Sequence, residues 1–228
     1  MIERGTLYVV STPIGNIKDI TLRALDVLRN VDEIVCEDTR RTRSLLSHYD
    51  FSKPLLSYND HNKYSRTPGI CAKLTSGRSL ALVSDAGTPA VSDPGYYLVR
   101  EAIKQGINTI PVPGPSAILA SLVVCGLPTD RFLFVGFLSR KSGKRRKDIA
   151  SFAGEPGTII LYETALRLPK LAADLIQVLG TERRIVLARE MTKRFEEVVR
   201  TNLAELEKTL ERITLKGEFV VLVSGNKG

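Results

Sequence analysis

One stretch of the chain joins an apolar strand to a polar and conformationally restricted loop. It runs from Ala81 to Gly95 and reads ALVSDAGTPAVSDPG, so Asp, Ser, Gly and Pro each occur twice after the apolar residues. Glycine lets backbone approach a ligand closely, and proline reduces the entropy that a loop loses on binding. The pattern predicts a ligand-binding loop. An ordinary strand-to-helix turn with Asp93 as the helix cap is the alternative.

Two further loops have related compositions. Pro113–Ala117 reads PGPSA and precedes an uncharged, helix-like segment, and Thr12–Asn16 reads TPIGN after the first apolar run. The free N–H groups at a helix N-terminus can hold an anionic group, which makes Pro113–Ala117 a second candidate binding loop. A domain linker followed by a helix cap explains that segment equally well, and Thr12–Asn16 carries the weaker signal.

Carboxylates and guanidinium groups occur together in Glu37–Arg43, which reads EDTRRTR. Arginine binds phosphate, and a carboxylate can accept a proton. The alternative is a capped and solvated helix start. Asp60-His61-Asn62 could perform acid–base chemistry, and a polar surface turn is at least as good an interpretation.

A third signal is a block of positive charge between residues 140 and 147. Six like charges without a counter-charge repel one another unless a partner neutralises them, and contacts of this kind with phosphates weaken steeply with salt. The block predicts a phosphate-binding loop, with a solubilising surface as the alternative. Its charged residues are Arg140, Lys141, Lys144, Arg145, Arg146 and Lys147.

Composition excludes several classes of protein. The 228 residues are 43% hydrophobic and 25% charged, close to the globular average, so a disordered or fibrous chain is excluded. Net charge is +8, and most of the excess lies after residue 112. Three dispersed cysteines and two histidines can hardly supply a zinc site, so no metal is expected and the cysteines are interpreted as buried thiols in a reducing compartment.

Common nucleotide and hydrolase motifs are missing. The sequence has no GxGxxG after the first strand, no GxxxxGK[ST] and no GxSxG. The N-terminal residues lack a signal-peptide pattern, and the longest uncharged run is broken by four prolines, so we expect a cytoplasmic protein without a membrane span.

Apolar runs alternate with helix-like patterns, which predicts an α/β fold with a parallel sheet in the N-terminal half. Among the expected elements are strands at Thr6–Val10, Asn108–Val112 and Phe132–Phe137 and helices at Gly95–Lys104 and Leu168–Leu179. Thr21 is the expected cap of a first helix with Leu22, Leu25 and Leu28 on its apolar face. Near the end of the chain, strand-like runs at Phe195–Arg200 and Glu218–Ser224 have hairpin-like spacing, which predicts a mixed sheet in the C-terminal half. We expect two α/β domains, residues 1–112 and 113–228.

The motifs together identify a family resemblance. TPIGN, EDTRRT, YNDHN, SDAGTPAVSDPG, PVPGPSA, ILYE, VLARE and KGEF occur in the same order, over nearly the whole chain, as in the tetrapyrrole methylase superfamily, also called the class III S-adenosylmethionine methyltransferases. Within it, TPIGN, EDTR and SDAGTPxxSDPG resemble the branch that methylates small-subunit ribosomal RNA. One departure is Ala165-Leu166, where that branch usually carries Pro-His.

The resemblance implies an activity and its participants. The implied reaction is 2′-O-methylation of a cytidine ribose in the decoding region of 16S ribosomal RNA, either free or in the 30S subunit. The implied enzyme is a homodimer with S-adenosylmethionine in a cleft between the two domains. The residues that the resemblance places against the cofactor are Pro13, Asp85, Thr88, Ser116, Ala117, Tyr162, Ala188 and Gly217. Ser84 and Gly87, in the same loop as Asp85 and Thr88, complete the predicted cofactor site.

Catalytic roles follow as hypotheses. Asp38 would accept or orient the ribose hydroxyl proton and Arg40 would hold the adjacent phosphate, with Asp60 and His61 as the second choice. The 140–147 segment would grip RNA phosphates. Two other functions stay open: a non-catalytic ribosome-assembly factor on this fold, and a methylase of a small anionic tetrapyrrole.

Overall fold

The computed structural model describes residues 2–226, and the chain divides into two compact units after Ser116. The first unit alternates strands with helices from its first strand to its last. Its elements are β1 (Thr6–Val10), α1 (Leu22–Asn30), β2 (Glu33–Cys36), α2 (Thr39–His48), β3 (Leu55–Ser57), α3 (Lys63–Thr75), β4 (Leu80–Val83), α4 (Gly95–Lys104) and β5 (Asn108–Val112).

The five strands form one parallel sheet in the order β3-β2-β4-β1-β5. Helices cover both faces, because α1 and α2 pack on one apolar cluster and α3 and α4 on another. β4 is buried along its whole length, as expected for a strand of a sheet covered on both sides. The parallel sheet predicted for the N-terminal half is confirmed.

Thr21 caps α1 by accepting a hydrogen bond from the Ala24 N–H at 3.1 Å, as predicted. One expectation for this helix is wrong. Leu25 and Leu28 are buried, whereas Leu22 is 82% exposed. The buried face consists of Ala24, Leu25, Val27 and Leu28, and at 3.6 residues per turn Leu22 lies on the opposite side of the helix.

The second unit begins with an uncharged helix and then builds a mixed sheet. Its elements are α5 (Ala117–Cys125), β6 (Phe132–Phe137), α6 (Ser142–Ser151), β7 (Thr158–Thr164), α7 (Leu168–Leu179), β8 (Arg184–Arg189), β9 (Glu197–Asn202), α8 (Leu206–Arg212) and β10 (Glu218–Val223). The strand order is β6-β7-β10-β8-β9.

Only β6 and β7 pair in parallel; the other neighbouring strands of this sheet are antiparallel. α6, α7 and α8 pack on one face with the main apolar cluster, and α5 contacts β8, β9 and β10 outside that cluster. The predicted mixed sheet is therefore confirmed.

Two predicted segments change at their ends. The basic segment 140–147 is not a loop throughout, because α6 begins at Ser142 and runs to Ser151. β9 begins at Glu197 rather than at Phe195, since residues 191–196 form turns before the pairing with β8 starts.

All three cysteines are buried free thiols: Cys36 and Cys71 in the first unit and Cys125 in the second. Among residues 2–226, no helix has both the length and the apolar character that a membrane crossing requires.

Candidate functional site

Three loops of the first unit meet at the carboxyl edge of its sheet. Thr12 and Gly87 exchange two backbone hydrogen bonds, of 2.9 and 3.0 Å, which join the loop after β1 to the loop after β4. The hydroxyls of Ser11 and Thr88 lie 2.9 Å apart, and Thr88 also donates to the Pro115 carbonyl at 3.3 Å. The predicted cofactor loops are thus physically linked in one unit.

The loop after β4 has a backbone conformation that is unusual for its residue types. Ala90 and Ser92 have φ of 70° and 60°, in the left-handed region that L-residues rarely adopt. Asp93 holds this geometry by accepting hydrogen bonds from the N–H groups of Ala90 and Gly95, at 2.8 and 2.7 Å. Non-glycine residues persist in such conformations where the surroundings determine them, commonly at ligand sites.

Asp85 connects this loop to the start of α2. Its carboxylate accepts a hydrogen bond from the Asp38 N–H at 3.0 Å and lies 3.6 Å from the guanidinium of Arg41. Pro13, Ser84, Asp85 and Arg41 contribute to the lining of a cavity of about 290 Å³. Three of the residues predicted to bind cofactor therefore border one concave surface of the first unit.

Asp38 and Arg40 form a local pair at the N-terminus of α2. Asp38 caps the helix by accepting from the Arg40 N–H at 2.8 Å, and its second carboxylate oxygen lies 2.7 Å from the guanidinium. The hydrogen bonds from the Arg40 side chain and backbone lower the pKa of Asp38 to about 2. A carboxylate with so low a pKa is a poor proton acceptor, and this geometry suits it to orienting Arg40.

Glu37 is a candidate that the sequence reasoning passed over in favour of Asp38. It is half-buried directly after β2, and burial, followed by the charges of Asp85, Asp93 and Asp60, raises its pKa. The sequence signal that could have identified Glu37 is its position as the first residue of the EDTR motif. Its burial among other carboxylates was not visible in the sequence.

Asp60 and His61 lie in an exposed turn after β3. The Asp60 carboxylate pairs with Lys63 at 2.8 Å, and the His61 N–H donates to Asn59 at 3.1 Å. Their turn neighbours the same sheet edge because the Tyr58 N–H donates to the Cys36 carbonyl. Over the described residues, no group of three or more His, Cys, Asp or Glu is arranged to hold a metal ion.

Strand register in the second unit brings two other predicted residues into one row. Tyr162 pairs with Val220, Val220 with Ala188, and Phe137 with Tyr162 on the other side. The four side chains therefore point to one face of the sheet, with the Phe137 and Tyr162 ring centroids 5.4 Å apart. Burial raises the pKa of Tyr162 to about 12, so its phenol stays protonated.

Gly217 precedes β10 at the same end of the sheet. A side chain here would require φ of 88° and would place a Cβ atom within 2.7 Å of three atoms of Glu190. The close approach explains glycine on structural grounds. Ala165 is buried and Leu166 is 91% exposed, so the two residues of the sequence departure differ completely in environment.

Arg145 corrects the RNA-binding prediction. Its side chain is only 3% exposed and lies 2.6 Å from the buried carboxylate of Asp174. It also donates to the carbonyls of Ser139, Arg140 and Lys170. Its hydrogen-bonding groups are used inside the unit, and it is therefore a structural residue.

The remaining members of the basic segment lie at the surface. Arg146 is partly exposed and donates to Gln177 at 2.7 Å. Arg140, Lys141, Lys144 and Lys147 are exposed, and none of them forms an ion pair within residues 2–226.

Comparison with known proteins identifies the family of this chain. The family model described as tetrapyrrole (corrin/porphyrin) methylases matches residues 6–207. This chain belongs to the tetrapyrrole methylase family. It is a methyltransferase, and S-adenosylmethionine is its cofactor.

The relatives that match nearly the whole chain include ribosomal RNA methyltransferases. The chain is 45% identical over 224 residues to ribosomal RNA small subunit methyltransferase I of Halalkalibacterium halodurans, covering 98% of this chain and 77% of that protein. It is 46% identical over 227 residues to the protein of that name from Escherichia coli O157:H7, covering 99% and 79%.

Solved structures share the fold at low sequence identity. A diphthine synthase superposes with a TM-score of 0.73 at 19% identity, covering 96% of this chain and 90% of that one. A cobalt precorrin-4 methyltransferase gives 0.70 at 15% identity, covering 98% of each chain. The tetrapyrrole methylase fold is thus confirmed.

The polar groups of the predicted cofactor residues in each unit suit a nucleoside-like cofactor. The first unit offers hydroxyls and backbone groups around Gly87 and Thr88. Gly87 adopts a left-handed φ of 80° and, as a glycine, adds no side chain to this part of the loop. The second unit offers the partly exposed ring of Tyr162, and its register partners Val220 and Ala188 are buried beside it, at 5% and 0% exposed. Such sites combine apolar walls with a few placed polar groups.

Proposed function

We propose that this protein transfers the methyl group of S-adenosylmethionine to the ribose 2′-hydroxyl of a cytidine in the decoding region of 16S ribosomal RNA. The similarity to ribosomal RNA small subunit methyltransferases I, 45–46% over nearly the whole chain, carries this proposal. The unpaired cations of the second unit support an RNA substrate, because phosphate contacts supply most of the affinity for nucleic acid.

The proposed cofactor residues fall into two groups, one in each unit. Pro13, Ser84, Asp85, Gly87, Thr88 and Ser116 belong to the first unit, and Ala117, Tyr162, Ala188 and Gly217 to the second. The linked loops of the first unit provide hydroxyl and backbone groups, and the partly exposed ring of Tyr162 provides apolar surface in the second. These groups bind and orient the cofactor and exclude water from it.

S-adenosylmethionine supplies an electrophilic methyl group on a positively charged sulfur. Held by these residues, it would donate that methyl group to the ribose 2′ oxygen and leave as S-adenosylhomocysteine. The hydroxyl proton must leave the oxygen, and we assign its acceptance to Glu37. Burial and neighbouring carboxylates raise the pKa of Glu37, which makes it a better proton acceptor than Asp38.

Arg40 is proposed to hold a phosphate next to the target ribose. The Asp38 carboxylate positions the guanidinium of Arg40 by accepting two hydrogen bonds from it, and the side chain of Arg40 remains 85% exposed. Asp60 and His61 stay second choices, since both lie in the exposed turn beside this edge.

Phosphates further along the RNA are assigned to Arg140, Lys141, Lys144, Arg146 and Lys147. Arg145 is left out because it is buried against Asp174. We propose that two copies of the chain associate in the cytoplasm. Sedimentation velocity of the purified protein tests the dimer directly.

The decisive experiment supplies methyl-labelled S-adenosylmethionine and 30S subunits that lack ribose methylation, and then maps the label. Label on a cytidine 2′ oxygen in the decoding region supports the proposal. Tight cofactor binding without transfer would favour a ribosome-assembly factor. Transfer to a tetrapyrrole, insensitive to salt and to the basic residues, would favour a small-molecule methylase.

A further inference from the structure

Three large apolar side chains are exposed at one edge of the second sheet. Phe137, Leu166 and Phe195 are 55%, 91% and 63% exposed. β6 runs parallel to β7, and both β7 and β8 run antiparallel to β10, so β6, β7 and β8 end at the same edge. Each of the three residues ends or follows one of these strands. Grouped apolar exposure marks an interaction surface, whereas scattered single residues do not.

The first two of these side chains are held in defined positions. The ring of Phe137 rests against Tyr162, as the row of register partners requires. Leu166 lies in a turn that Arg167 fixes: its guanidinium donates to the Leu138 carbonyl at 2.6 Å and lies 3.1 Å from the buried carboxylate of Glu163. The turn that carries Leu166 is therefore tied to the residue after Phe137.

Arg189 fixes the backbone at the third residue, Phe195. Its guanidinium, nearly buried, donates to the carbonyls of Lys216 at 2.8 Å and Phe195 at 3.4 Å. The segment that carries Phe195 is thus fastened to the segment before β10. A surface fixed in this way loses little conformational entropy when a partner binds.

Positive charge surrounds this apolar edge. Arg140, Lys141, Arg194 and Lys216 are exposed and form no ion pair with any residue in the described range, and the Arg194 guanidinium lies 5.5 Å from the Phe195 ring centroid. Two of the nearby carboxylates, Glu190 and Glu218, pair with Lys193. Glu196 accepts from the Thr192 N–H and keeps its negative charge, so the four cations remain in excess.

The combination of two exposed aromatic rings, an exposed aliphatic side chain and unpaired cations selects the class of partner. Single-stranded nucleic acid is bound through bases that stack on exposed side chains and through phosphates that contact cations. A second copy of this chain docked by the same face would bring eight like charges together, which disfavours self-association there.

We propose that Phe137, Leu166 and Phe195 form a platform for unpaired bases of single-stranded RNA, with the four surrounding cations holding its phosphates. This inference rests on the proposed function and identifies where the RNA flanking the target ribose is bound. It differs from a simple basic patch because it requires the bases to be unpaired.

The test compares variants in binding a fluorescein-labelled single-stranded RNA oligonucleotide and the same sequence in a duplex, by fluorescence anisotropy. Phe195→Ser should weaken binding of the single strand about tenfold, and Phe195→Tyr should restore it, because a base stacked on an aromatic ring contributes energy of that order. Leu166→Ser, which removes only an aliphatic contact, should weaken binding by less than Phe195→Ser. Binding of the duplex should change little. Tyr96→Ser is the matched control, since Tyr96 is 61% exposed on α4 in the other unit.

The same variants are assayed for S-adenosylmethionine affinity and for sedimentation, both of which should match the unsubstituted protein. If Phe195→Ser and the Tyr96→Ser control bind the single strand equally well, the platform is wrong. That result would not affect the proposed methyl transfer to 30S subunits, which is assayed separately. Loss of self-association in place of RNA binding would overturn it too. Single-strand binding through these residues by a protein that transfers no methyl group would support the platform and remove the proposed function.

Discussion

Glu37 and Asp38 are adjacent in sequence and have opposite electrostatic surroundings. Asp38 is tied to Arg40, which lowers its pKa to about 2, whereas burial and the charges of Asp85, Asp93 and Asp60 raise that of Glu37. The two carboxylates of one motif are therefore suited to different roles. The difference comes from the neighbours of each carboxylate: Arg40 donates hydrogen bonds to Asp38, whereas Glu37 is partly buried among other carboxylates.

Substitution of the two carboxylates should separate these roles. Glu37→Gln is expected to lower kcat about a hundredfold, the usual contribution of a general base. Asp38→Asn keeps a good helix cap and should mainly raise KM for 30S subunits, because Arg40 loses its charged partner. Steady-state kinetics with labelled cofactor measures both. Full kcat in Glu37→Gln would assign the proton to another acceptor.

The pH profile gives an independent check. Glu37 must be ionised to accept a proton, so kcat falls as the pH falls through its pKa. Because that pKa is raised, the acidic limb should lie at higher pH than for an ordinary glutamate. The limb should be absent from whatever activity Glu37→Gln retains. An identical limb in both proteins would contradict the assignment.

Arg145 and Lys144 are neighbours in the basic segment with different expected phenotypes. Arg145→Ala leaves the carboxylate of Asp174 buried without its closest cation, which should reduce the free energy of unfolding by about 3–5 kcal/mol. Lys144→Ala should change stability by less than about 0.5 kcal/mol and weaken RNA binding. Urea unfolding and RNA anisotropy distinguish them. Equal stability of both variants would mean that the buried pair contributes little.

At the scale of elements, the loop between β4 and α4 depends on a close approach at Gly95. A Cβ atom there would lie 2.8 Å from the Asp93 carboxylate and 3.1 Å from the Ala90 nitrogen. Gly95→Ala should therefore displace the hydrogen bonds that hold the loop and reduce S-adenosylmethionine affinity about tenfold or more.

Gly69→Ala is the control for that substitution. Gly69 lies within α3, and a Cβ atom there meets nothing within 4 Å. Alanine should stabilise the helix by about 0.5–1 kcal/mol without changing cofactor affinity. Isothermal titration of the two variants gives the comparison. Unchanged affinity in Gly95→Ala would show that the loop geometry does not control the cofactor site.

Most elements were predictable because local patterns and tertiary packing agree. β1, α4, β5, β6 and α7 have the bounds that the sequence predicts, since apolar runs end at Gly, Pro or polar residues. The burial of Arg145 was not predictable, because its partner Asp174 is 29 residues away on α7. The row that joins Tyr162 to Ala188 likewise depends on register with β10, which sequence patterns do not specify.

At the scale of the whole molecule, charge is distributed unevenly. The net charge of +8 arises mainly after residue 112, and the exposed members of the basic segment lie in the second unit. RNA affinity should therefore depend on salt mainly through that unit, whatever the sequence of the RNA.

Removing Lys141 and Lys144 should reduce the slope of log affinity against log salt by about 0.7 for each charge, the value for single strands. Lys208→Ala is the matched control, because Lys208 is exposed on α8 and already pairs with Glu205. Anisotropy titrations over a salt series measure the slopes. A slope unchanged by the double substitution would exclude these lysines from phosphate contact.

The placement of the three buried thiols gives each unit its own chemical reporter. Cys36 and Cys71 lie in the first unit and Cys125 in the second, and burial raises the pKa of Cys36 and Cys71. A thiol reagent can reach each of them only when its surroundings open. Time-resolved alkylation followed by peptide mass spectrometry would thus measure the opening rate of each unit separately, with and without cofactor, in the unsubstituted protein.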